Sequence, residues 1–372
     1  MSLGDVIQID DRTVLVTGQE LDIEANQPDV SNVLLHRVGS TLVMVDTGVT
    51  AQFRAALLRA VDLVGPWTEL LLLTTHGHVD HIGNNDLADE LHAARGVRVQ
   101  HFVPARDLAQ MLDPHTYWER SFERLDGVVG LPAQPALVAT KVTSLFTPLH
   151  PFGATTRTYE ELPLEQLVVG GVPVLGWTFA DGAVRVLRSQ GHCAGHVVVH
   201  LRDNGVLHLG DEVNGPCGIM RDADQLKIQT TFATTVAMID AGEVSWVTDG
   251  HEPEVLKAVD ARTRMEGMLA QVVALQSSAL GILGDDRSVH PRAFVEAYAQ
   301  DVAALGVGGA NPNAHFTGFM ALNALREVGL RPTGSTWSRR TLTTPAIPGR
   351  AAIVGALPGL VWWRLRRKDV SR

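Results

Sequence analysis

Short apolar runs separated by polar or glycine-containing turns dominate the first part of the chain. Runs of this length are typical of strands rather than helices. The predicted strands cover residues 6–9, 14–16, 32–35 and 41–45, and a helix is predicted near residues 51–64. A meander of strands that passes into a helix indicates a mixed α/β fold.

A second set of apolar runs lies between residues 184 and 250, and each run ends close to a glycine and to a side chain that commonly binds metals. The runs are 184–187 before Gly191-His192-Cys193-Ala194-Gly195-His196, 206–209 before Gly210-Asp211, and 244–247 before Asp249-Gly250-His251. Each is predicted to be a strand that leads into a potential ligand.

The most informative segment is residues 74–83, which read Thr-Thr-His-Gly-His-Val-Asp-His-Ile-Gly. Three imidazoles and one carboxylate within six residues supply donors that suit Zn²⁺, and also Fe or Mn. The apolar residues 69–73 precede the run, and residues 84–91 follow it with the capping residues and spacing of a helix. The segment is therefore predicted to be a metal-binding loop between a buried strand and a helix.

Together these motifs resemble the metallo-β-lactamase fold superfamily, in the branch of glyoxalase II-like hydrolases, lactonases and tRNase Z-like nucleases. The resemblance covers residues 6–252, with its motifs in the family's order. It implies a four-layer αββα sandwich built of two halves, with the metal site at one edge.

The resemblance also implies a role for each motif residue. It assigns His76, His78 and His192 to a first metal, Asp80, His81 and His251 to a second, and Asp211 to both. Asp80 is in addition expected to orient the attacking hydroxide. Asp46 matches an early aspartate that orients the histidine loop from behind the ligands.

The chain departs from the family pattern in several places. Cys193 follows the ligand His192 where threonine is usual, Glu212 follows Asp211, and no tyrosine comes closely after Asp211 as it does in the lactonases. His196 is an alternative to His192 as the ligand, but the match favours His192 and makes His196 a structural hydrogen-bond partner. The substrate pocket is therefore not expected to be that of a particular relative.

The catalytic domain is predicted to span residues 1–252. Three further features are predicted, one within this domain and two after it. Residues 101–182 exceed what a minimal fold requires and are predicted to be a cap, in which Tyr117, Trp118, Phe122 and Phe146 are candidate pocket aromatics. Residues 253–340 are predicted to be a helical subdomain, with helices over 253–281, 291–305 and 313–329. The final part, residues 341–372, is an apolar and basic tail too short to span a bilayer.

The composition limits which classes of partner and which cellular location we expect for the chain. The 372 residues are 45% hydrophobic and 19% charged, with a net charge of −10, which argues against a nucleic-acid partner because phosphate contacts need clustered Lys and Arg. The two cysteines, Cys193 and Cys217, exclude a disulfide framework, and the start has no signal-peptide pattern. We expect a cytoplasmic enzyme with a small-molecule substrate. Membrane contact is expected only through the tail, and self-association stays open.

These observations predict a hydrolase with two metal ions, expected to be zinc, with Fe or Mn as alternatives. A hydroxide that bridges the ions would attack a small carbonyl substrate: a thioester, lactone, ester or amide. One alternative is a phosphodiester hydrolase of the same fold, and another is a persulfide dioxygenase with a single iron. A protein that kept the fold only for binding is the remaining alternative. The residues leave the physiological substrate open.

Overall fold

The computed structural model describes residues 2–339, except residues 23, 214, 216, 217, 219, 287 and 308–312. The predictions about Cys217 and about the tail, residues 341–372, therefore concern parts of the chain outside the described residues. Two seven-stranded sheets, one small sheet and a set of helices make up the described part.

The first sheet holds the N-terminal strands in chain order. Its strands are β1 (Val6–Asp10), β2 (Thr13–Val16), β3 (Val33–Val38), β4 (Thr41–Val45), β5 (Glu69–Leu73), β6 (Arg98–Val103) and β7 (Thr156–Thr158). β1 to β4 pair antiparallel, whereas β4 to β7 run parallel. The parallel strands need crossover connections, so helices separate them in the sequence.

The second sheet holds the strands of the second half. Its strands are β8 (Glu165–Val169), β9 (Val172–Phe179), β10 (Val184–Arg188), β11 (Val197–Leu201), β12 (Val206–His208), β13 (Trp246–Thr248) and β14 (Leu256–Lys257). Neighbours pair antiparallel except β12 and β13, which are parallel. The carboxyl ends of β10, β12 and β13 therefore meet at one edge.

Helices cover the sheets and fill the longer connections. They are α1 (Ala51–Ala60), α2 (Val79–Ile82), α3 (Leu87–Arg95), α4 (Leu108–Leu112), α5 (Pro114–Glu123), α6 (Pro135–Leu145), α7 (Gln225–Asp240), α8 (Ala258–Leu283), α9 (Pro291–Ala304) and α10 (Ala314–Glu327). Most of the predicted helices lie within a few residues of these bounds. α6, α7 and the β8–β9 hairpin were not predicted; α6 lies among several prolines, which commonly interrupt helices. Pro135 instead occupies the first turn of α6, where a proline is tolerated.

Alternation along the strands divides the buried side chains between layers. Leu34 points to a cluster shared with the second sheet, whereas Val33 and Leu35 point to the cluster beneath α1 and α3. The outer face of the second sheet is covered in the same way by α7 and α8. This is the expected four-layer αββα sandwich, and it is confirmed.

The segment predicted as a cap contributes to both sheets and also forms helices outside the sandwich. Within residues 101–182, the end of β6 and β7 complete the first sheet, and β8 and β9 complete the second. The helices α4, α5 and α6 lie between β6 and β7 and form the part outside the sandwich; we call α4–α6 the cap.

The C-terminal part combines α8, α9 and α10 with a small sheet of β15 (Ser288–Val289), β16 (Leu330–Thr333) and β17 (Thr336–Arg339). The inner face of α10 packs against the cap in one apolar cluster that includes Phe122, Leu125, Phe294 and Phe319. α8 is long and apolar enough to cross a membrane by length and composition alone. Its buried residues join the outer helical layer to this cluster.

Candidate metal centre

The histidine motif begins where β5 ends at the centre of the parallel strands. The motif was predicted to be a loop, and the structure adds one helical turn, α2, which starts at Val79. Both glycines of the motif are closely packed: a Cβ at Gly77 would lie 2.7 Å from Asp107 Cβ, and one at Gly83 would lie 2.4 Å from Val49. Glycine at these two positions therefore lets neighbouring segments approach and fixes the path of the motif.

The first potential metal-binding group contains His76, His78, His192 and Asp211, whose donor atoms lie within 4.8 Å of one another. His78 Nδ1 lies 2.9 Å from His76 Nε2 and 3.0 Å from His192 Nε2. Asp211 Oδ2 lies 3.8 Å and 3.6 Å from the same two Nε2 atoms. Three strand ends thus direct four donors to one point.

The second group contains Asp80, His81, His251 and again Asp211. Asp80 Oδ2 lies 3.4 Å from His81 Nε2 and 3.3 Å from His251 Nε2. Asp211 contacts both imidazoles, with its Oδ1 3.1 Å from His81 Nε2 and its Oδ2 3.3 Å from His251 Nε2. The structure therefore brings together all seven residues that the resemblance assigned to metals, with Asp211 common to both groups.

The donor chemistry of the first group fits a divalent ion. Burial lowers the pKa of His76, His78 and His192, so the three imidazoles are neutral and offer lone pairs. Ring nitrogens about 3 Å apart are compatible with metal–nitrogen bonds of about 2.0–2.1 Å.

The charges of the second group fit a cation as well. Burial alone would lower the pKa of His81 and His251, but the charge of Asp211 is the main cause that raises both values well above the ordinary one. His81 Nε2 and Asp211 Oδ1 are buried 3.1 Å apart, and neither makes a hydrogen bond with any other described residue. A buried polar atom without a partner is costly, so an ion at this point would satisfy both.

Comparison with known proteins identifies the family. A family model described as the metallo-beta-lactamase superfamily matches residues 26–276. The chain belongs to this superfamily. Members of this superfamily typically depend on a metal, so the chain is assigned as a metal-dependent enzyme. No curated protein matches the chain.

Several solved structures of the superfamily fold are similar to the chain at low sequence identity. A metallo-beta-lactamase family protein from Thermus thermophilus has a TM-score of 0.53 and 19% identity, with 90% of this chain and 100% of that chain covered. A beta-lactamase domain protein from Burkholderia ambifaria has a TM-score of 0.54 and 16% identity, with 91% and 95% covered. The stereoselective inverting sec-alkylsulfatase from Pseudomonas sp. has a TM-score of 0.54 and 17% identity, with 86% of this chain and 49% of that chain covered. Likeness at this level shows the fold alone.

A layer of carboxylates and hydroxyls orients the histidines of this superfamily member. Asp46 accepts hydrogen bonds from Thr75 N and Thr75 Oγ1, each at 2.7 Å, and contacts His81 Nδ1 at 2.8 Å. Its backbone has φ of 62°, a strained value for a residue other than glycine. Asp46 therefore lies where the sequence predicted, behind the ligands of both groups.

Asp29 contacts Nδ1 of His251 as Asp46 contacts Nδ1 of His81, and the sequence analysis did not predict this role for Asp29. Its Oδ1 lies 3.2 Å from His251 Nδ1, on the side of the ring opposite the two metal-binding groups. A carboxylate at Nδ1 favours the tautomer that leaves Nε2 free for a metal. Asp29 lies in an irregular segment with no strand end or glycine motif beside it, so no sequence signal pointed to it.

His196 lies behind the centre rather than in it. Its Nε2 accepts a hydrogen bond from Asp211 N at 3.0 Å, and its Nδ1 contacts Ser189 Oγ at 2.8 Å. Glu212 holds the same loop by accepting a hydrogen bond from Gly191 N at 2.7 Å. The structure thus places His192 among the potential ligands and His196 among the groups that support Asp211.

Cys193 is buried beside a second carboxylate that the sequence analysis missed. Its thiol donates to Asp107 Oδ2 at 3.3 Å, and the same oxygen accepts a hydrogen bond from Gly77 N at 3.0 Å. Burial raises the pKa of Asp107 to about 6. Asp107 therefore joins the loop that carries His76 and His78 to the loop that carries His192.

The cap contributes two of the four predicted aromatics to the centre. The ring centroids of Tyr117 and Trp118 lie 6.2 Å and 6.0 Å from that of His78. Phe122 instead packs in the cluster of cap and C-terminal helices, and Phe146 packs beneath α1 and α3. Tyr117 and Trp118 therefore lie beside His78, on the cap side of the first donor group.

Proposed function

We propose that this chain is a hydrolase with two zinc ions that acts on a small carbonyl substrate: a thioester, lactone, ester or amide. The observation that carries the proposal is the convergence of seven side chains into two donor groups that share Asp211. Two sites joined by one carboxylate are typical of binuclear metal hydrolases.

The side chains of the metal centre differ in their exposure to solvent, and this difference suggests where the substrate enters. The side chains of Asp80 and His251 are 13% and 18% exposed, whereas those of His76, His192 and Asp211 are at most 3% exposed. A cavity of about 270 Å³ opens beside His251 and is lined by Asp249, Arg264 and Met268, among others. A cavity of this size suits a small substrate that approaches the second group.

The chemistry then divides between the ions and the chain. Bound divalent ions would lower the pKa of water and polarise a carbonyl oxygen, which is what hydrolysis of an acyl bond needs. Burial raises the pKa of Asp80, but the charges of His81 and His251 outweigh it and hold the pKa below its ordinary value. Asp80 is therefore ionised at neutral pH, can hold a cation, and can accept a hydrogen bond from the attacking water.

An acyl substrate is favoured over a phosphodiester by the charge of the molecule and by its cap. The net charge of −10 opposes a long polyanion, which would need a basic track along its phosphates. Tyr117 and Trp118 instead place two aromatic rings beside His78 of the first donor group. A single-iron dioxygenase would leave the second donor group without a role.

Metal analysis and a substrate panel test the proposal. Elemental analysis should find about two ions per chain, mainly zinc, and acyl substrates should be hydrolysed with higher kcat/KM than bis(p-nitrophenyl) phosphate. Asp80→Ala should lower kcat strongly with an unchanged circular dichroism spectrum, whereas Asp126→Ala, at an exposed cap position, should change neither. Faster turnover of the phosphodiester would overturn the acyl assignment. A single iron with oxygen consumption would replace the hydrolase by the dioxygenase.

A further inference from the structure

A cavity of about 570 Å³ lies at the end of the second sheet opposite the metal centre. The potential metal ligands follow the carboxyl ends of β10, β12 and β13. The cavity is instead lined by Arg185 near the start of β10, Gly205 just before β12 and Ser245 just before β13. Every described residue that lines it is polar or a glycine, so it suits a small polar ligand. We call this space the polar cavity.

Two arginines that line the polar cavity have few partners of their own. Arg202 donates to the Gly182 carbonyl at 3.0 Å and forms no ion pair with any described side chain. Arg185 makes only long contacts, of 3.4 Å each, with the Val168 carbonyl and with Glu243 Oε2. Burial lowers the pKa of Arg185, and the positive charge of Arg202 lowers it further. Each guanidinium has five N–H groups, so both keep donors for an anion.

The two carboxylates that line the polar cavity are engaged by other groups. Asp203 lies 2.8 Å from Arg12 Nη1 and 3.0 Å from His36 Nε2. Glu243 accepts a hydrogen bond from Gly170 N at 2.8 Å through Oε1. The polar cavity therefore keeps a local positive charge in a chain whose net charge is −10. A local charge of this sign favours a small anion as the ligand.

His200 adds a hydrogen-bond acceptor to the lining of the polar cavity. It pairs with Arg185 across β10 and β11, so the two side chains lie on the same face of the sheet. Its Nε2 lies 3.1 Å from the Glu243 carbonyl oxygen. Burial lowers the pKa of His200 to about 4, so the ring is neutral at pH 7. Because a carbonyl only accepts, Nε2 carries the single ring proton and Nδ1 carries a lone pair.

The lone pair of His200 Nδ1 is not used within the chain. The atom is buried and has no hydrogen-bond partner among the described residues. A buried acceptor without a partner is costly, and a hydroxyl group of a ligand would satisfy it. The polar cavity therefore offers donors for an anion together with one acceptor for a hydroxyl.

We propose that the polar cavity binds the phosphate ester of a small polyol, with the phosphate held by Arg185 and Arg202 and a hydroxyl donating to His200 Nδ1. A phosphate monoester has three terminal oxygens and a charge of about −1.5 to −2 at pH 7, so it can accept from two guanidinium groups at once. A carboxylate has two oxygens and a single charge, and it matches one guanidinium. The site is separate from the metal centre, so the inference does not depend on the proposed hydrolysis.

Matched probes test the inference with the metal-loaded full chain. Glycerol 3-phosphate carries the phosphate and two hydroxyls, propyl phosphate lacks the hydroxyls, and glycerate replaces the phosphate by a carboxylate. Calorimetry should show that glycerol 3-phosphate binds about 10-fold more tightly than either of the other two. A phosphate can also bind at a metal centre, so the location is measured separately. Hydrogen exchange with glycerol 3-phosphate should increase protection in residues 200–206 and 242–246, which border the polar cavity.

Variants of the arginines separate this site from general effects of charge. Arg202 is exposed and makes one hydrogen bond, so its replacement should keep the fold. Arg202→Gln should weaken binding of glycerol 3-phosphate by about 10- to 100-fold, and Arg202→Lys should fall between it and the wild type. Arg59→Gln removes a charge from an exposed position of α1, in the other outer layer of the sandwich. It should bind glycerol 3-phosphate as the wild type does.

The hydroxyl contact has its own measurement, which needs no substitution in the buried strand. The nitrogen-15 resonance of His200 Nδ1 should shift when glycerol 3-phosphate is added and should not shift with propyl phosphate. Equal binding of propyl phosphate would overturn the polyol, and tighter binding of glycerate would overturn the phosphate. Unchanged protection of residues 200–206 and 242–246, or unchanged affinity in Arg202→Gln, would overturn the site itself.

Discussion

Asp211 and the residues around it show how single side chains set up the centre. Asp211 faces both donor groups while its backbone N–H is held by His196. Burial raises its pKa, but the charges of His251 and His81 lower it well below the ordinary value, so the carboxylate stays ionised. A buried carboxylate is costly unless it is paired. Four imidazoles and the expected cations provide that pairing.

Replacement of His192, within the Gly191–Gly195 loop, should have a different effect from replacement of His196, which follows the loop. His192→Ala should take away a donor and reduce the metal content of the purified chain. His196→Ala should keep the ions and lower the free energy of unfolding by about 1–3 kcal/mol, because Asp211 N and Glu212 lose a partner. Elemental analysis and urea denaturation measure the two effects. Loss of metal in His196→Ala with retention in His192→Ala would reverse the assignment.

Asp29 should act on the second ion alone, because it touches His251 and no ligand of the first group. Asp29→Ala should weaken binding of the second ion by about 10- to 100-fold, and Asp29→Asn should weaken it less because an amide oxygen can still accept the Nδ1 proton. Chelator competition measures both affinities. Glu20→Ala, an exposed change in the same segment, serves as the control. Equal weakening of both ions would contradict this role.

At the scale of elements, the cap and the C-terminal helices depend on each other. α5 brings Tyr117 and Trp118 to the centre, and the opposite side of α5 packs against α10 through Phe122 and Phe319, whose rings are 5.5 Å apart at a steep angle. α10 is buried along most of its length, from Thr317 to Leu325. The helix that carries Tyr117 and Trp118 is therefore supported by residues about 200 positions away in the chain.

Removing that support should loosen the cap as well as the C-terminal helices. Phe319→Ala should lower the free energy of unfolding by about 3–5 kcal/mol, since it leaves a cavity in the shared cluster. Hydrogen exchange should show reduced protection in both α10 and α5. Phe53→Ala leaves a cavity in the cluster beneath α1 and α3 instead. It should leave the hydrogen-exchange protection of α5 closer to that of the wild type. Unchanged protection of α5 in Phe319→Ala would show that the cap is stabilised independently.

At the scale of the whole molecule, local patterns were sufficient for the strands that lead into potential ligands. Apolar runs with ligand types at their ends located β4, β5, β10, β12 and β13, because each strand and its ligand are adjacent in sequence. Asp29 and Asp107 act through contacts between distant segments, and such contacts leave no periodic signal in one sequence. For the same reason the pattern predicted the helices of the C-terminal part, but not that they form one cluster with the cap.

Glu327 links the stability of the whole chain to pH through the junction of α10 with α7. Its Oε1 accepts a hydrogen bond from Gln225 N at 2.7 Å, and burial raises its pKa from the ordinary 4.5 to about 7. Between these two values the folded chain binds a proton that the unfolded chain has lost, so stability falls as pH rises from about 4.5 to about 7. Above pH 7 the full cost of the buried charge is present.

Glu327→Gln keeps an acceptor for Gln225 N and removes that charge. It should raise the free energy of unfolding by about 1–3 kcal/mol at pH 8 and by little at pH 5, where Glu327 is already protonated in the folded chain. Urea denaturation of the metal-loaded variant and wild type at both pH values measures the difference, and effects of pH on the metal centre cancel in the comparison. Glu123→Gln, an exposed change at the end of α5, should show no such dependence. An equal gain at pH 5 and pH 8 would mean that the pKa of Glu327 is the same in the folded and unfolded chains, and that the benefit of the amide comes from packing.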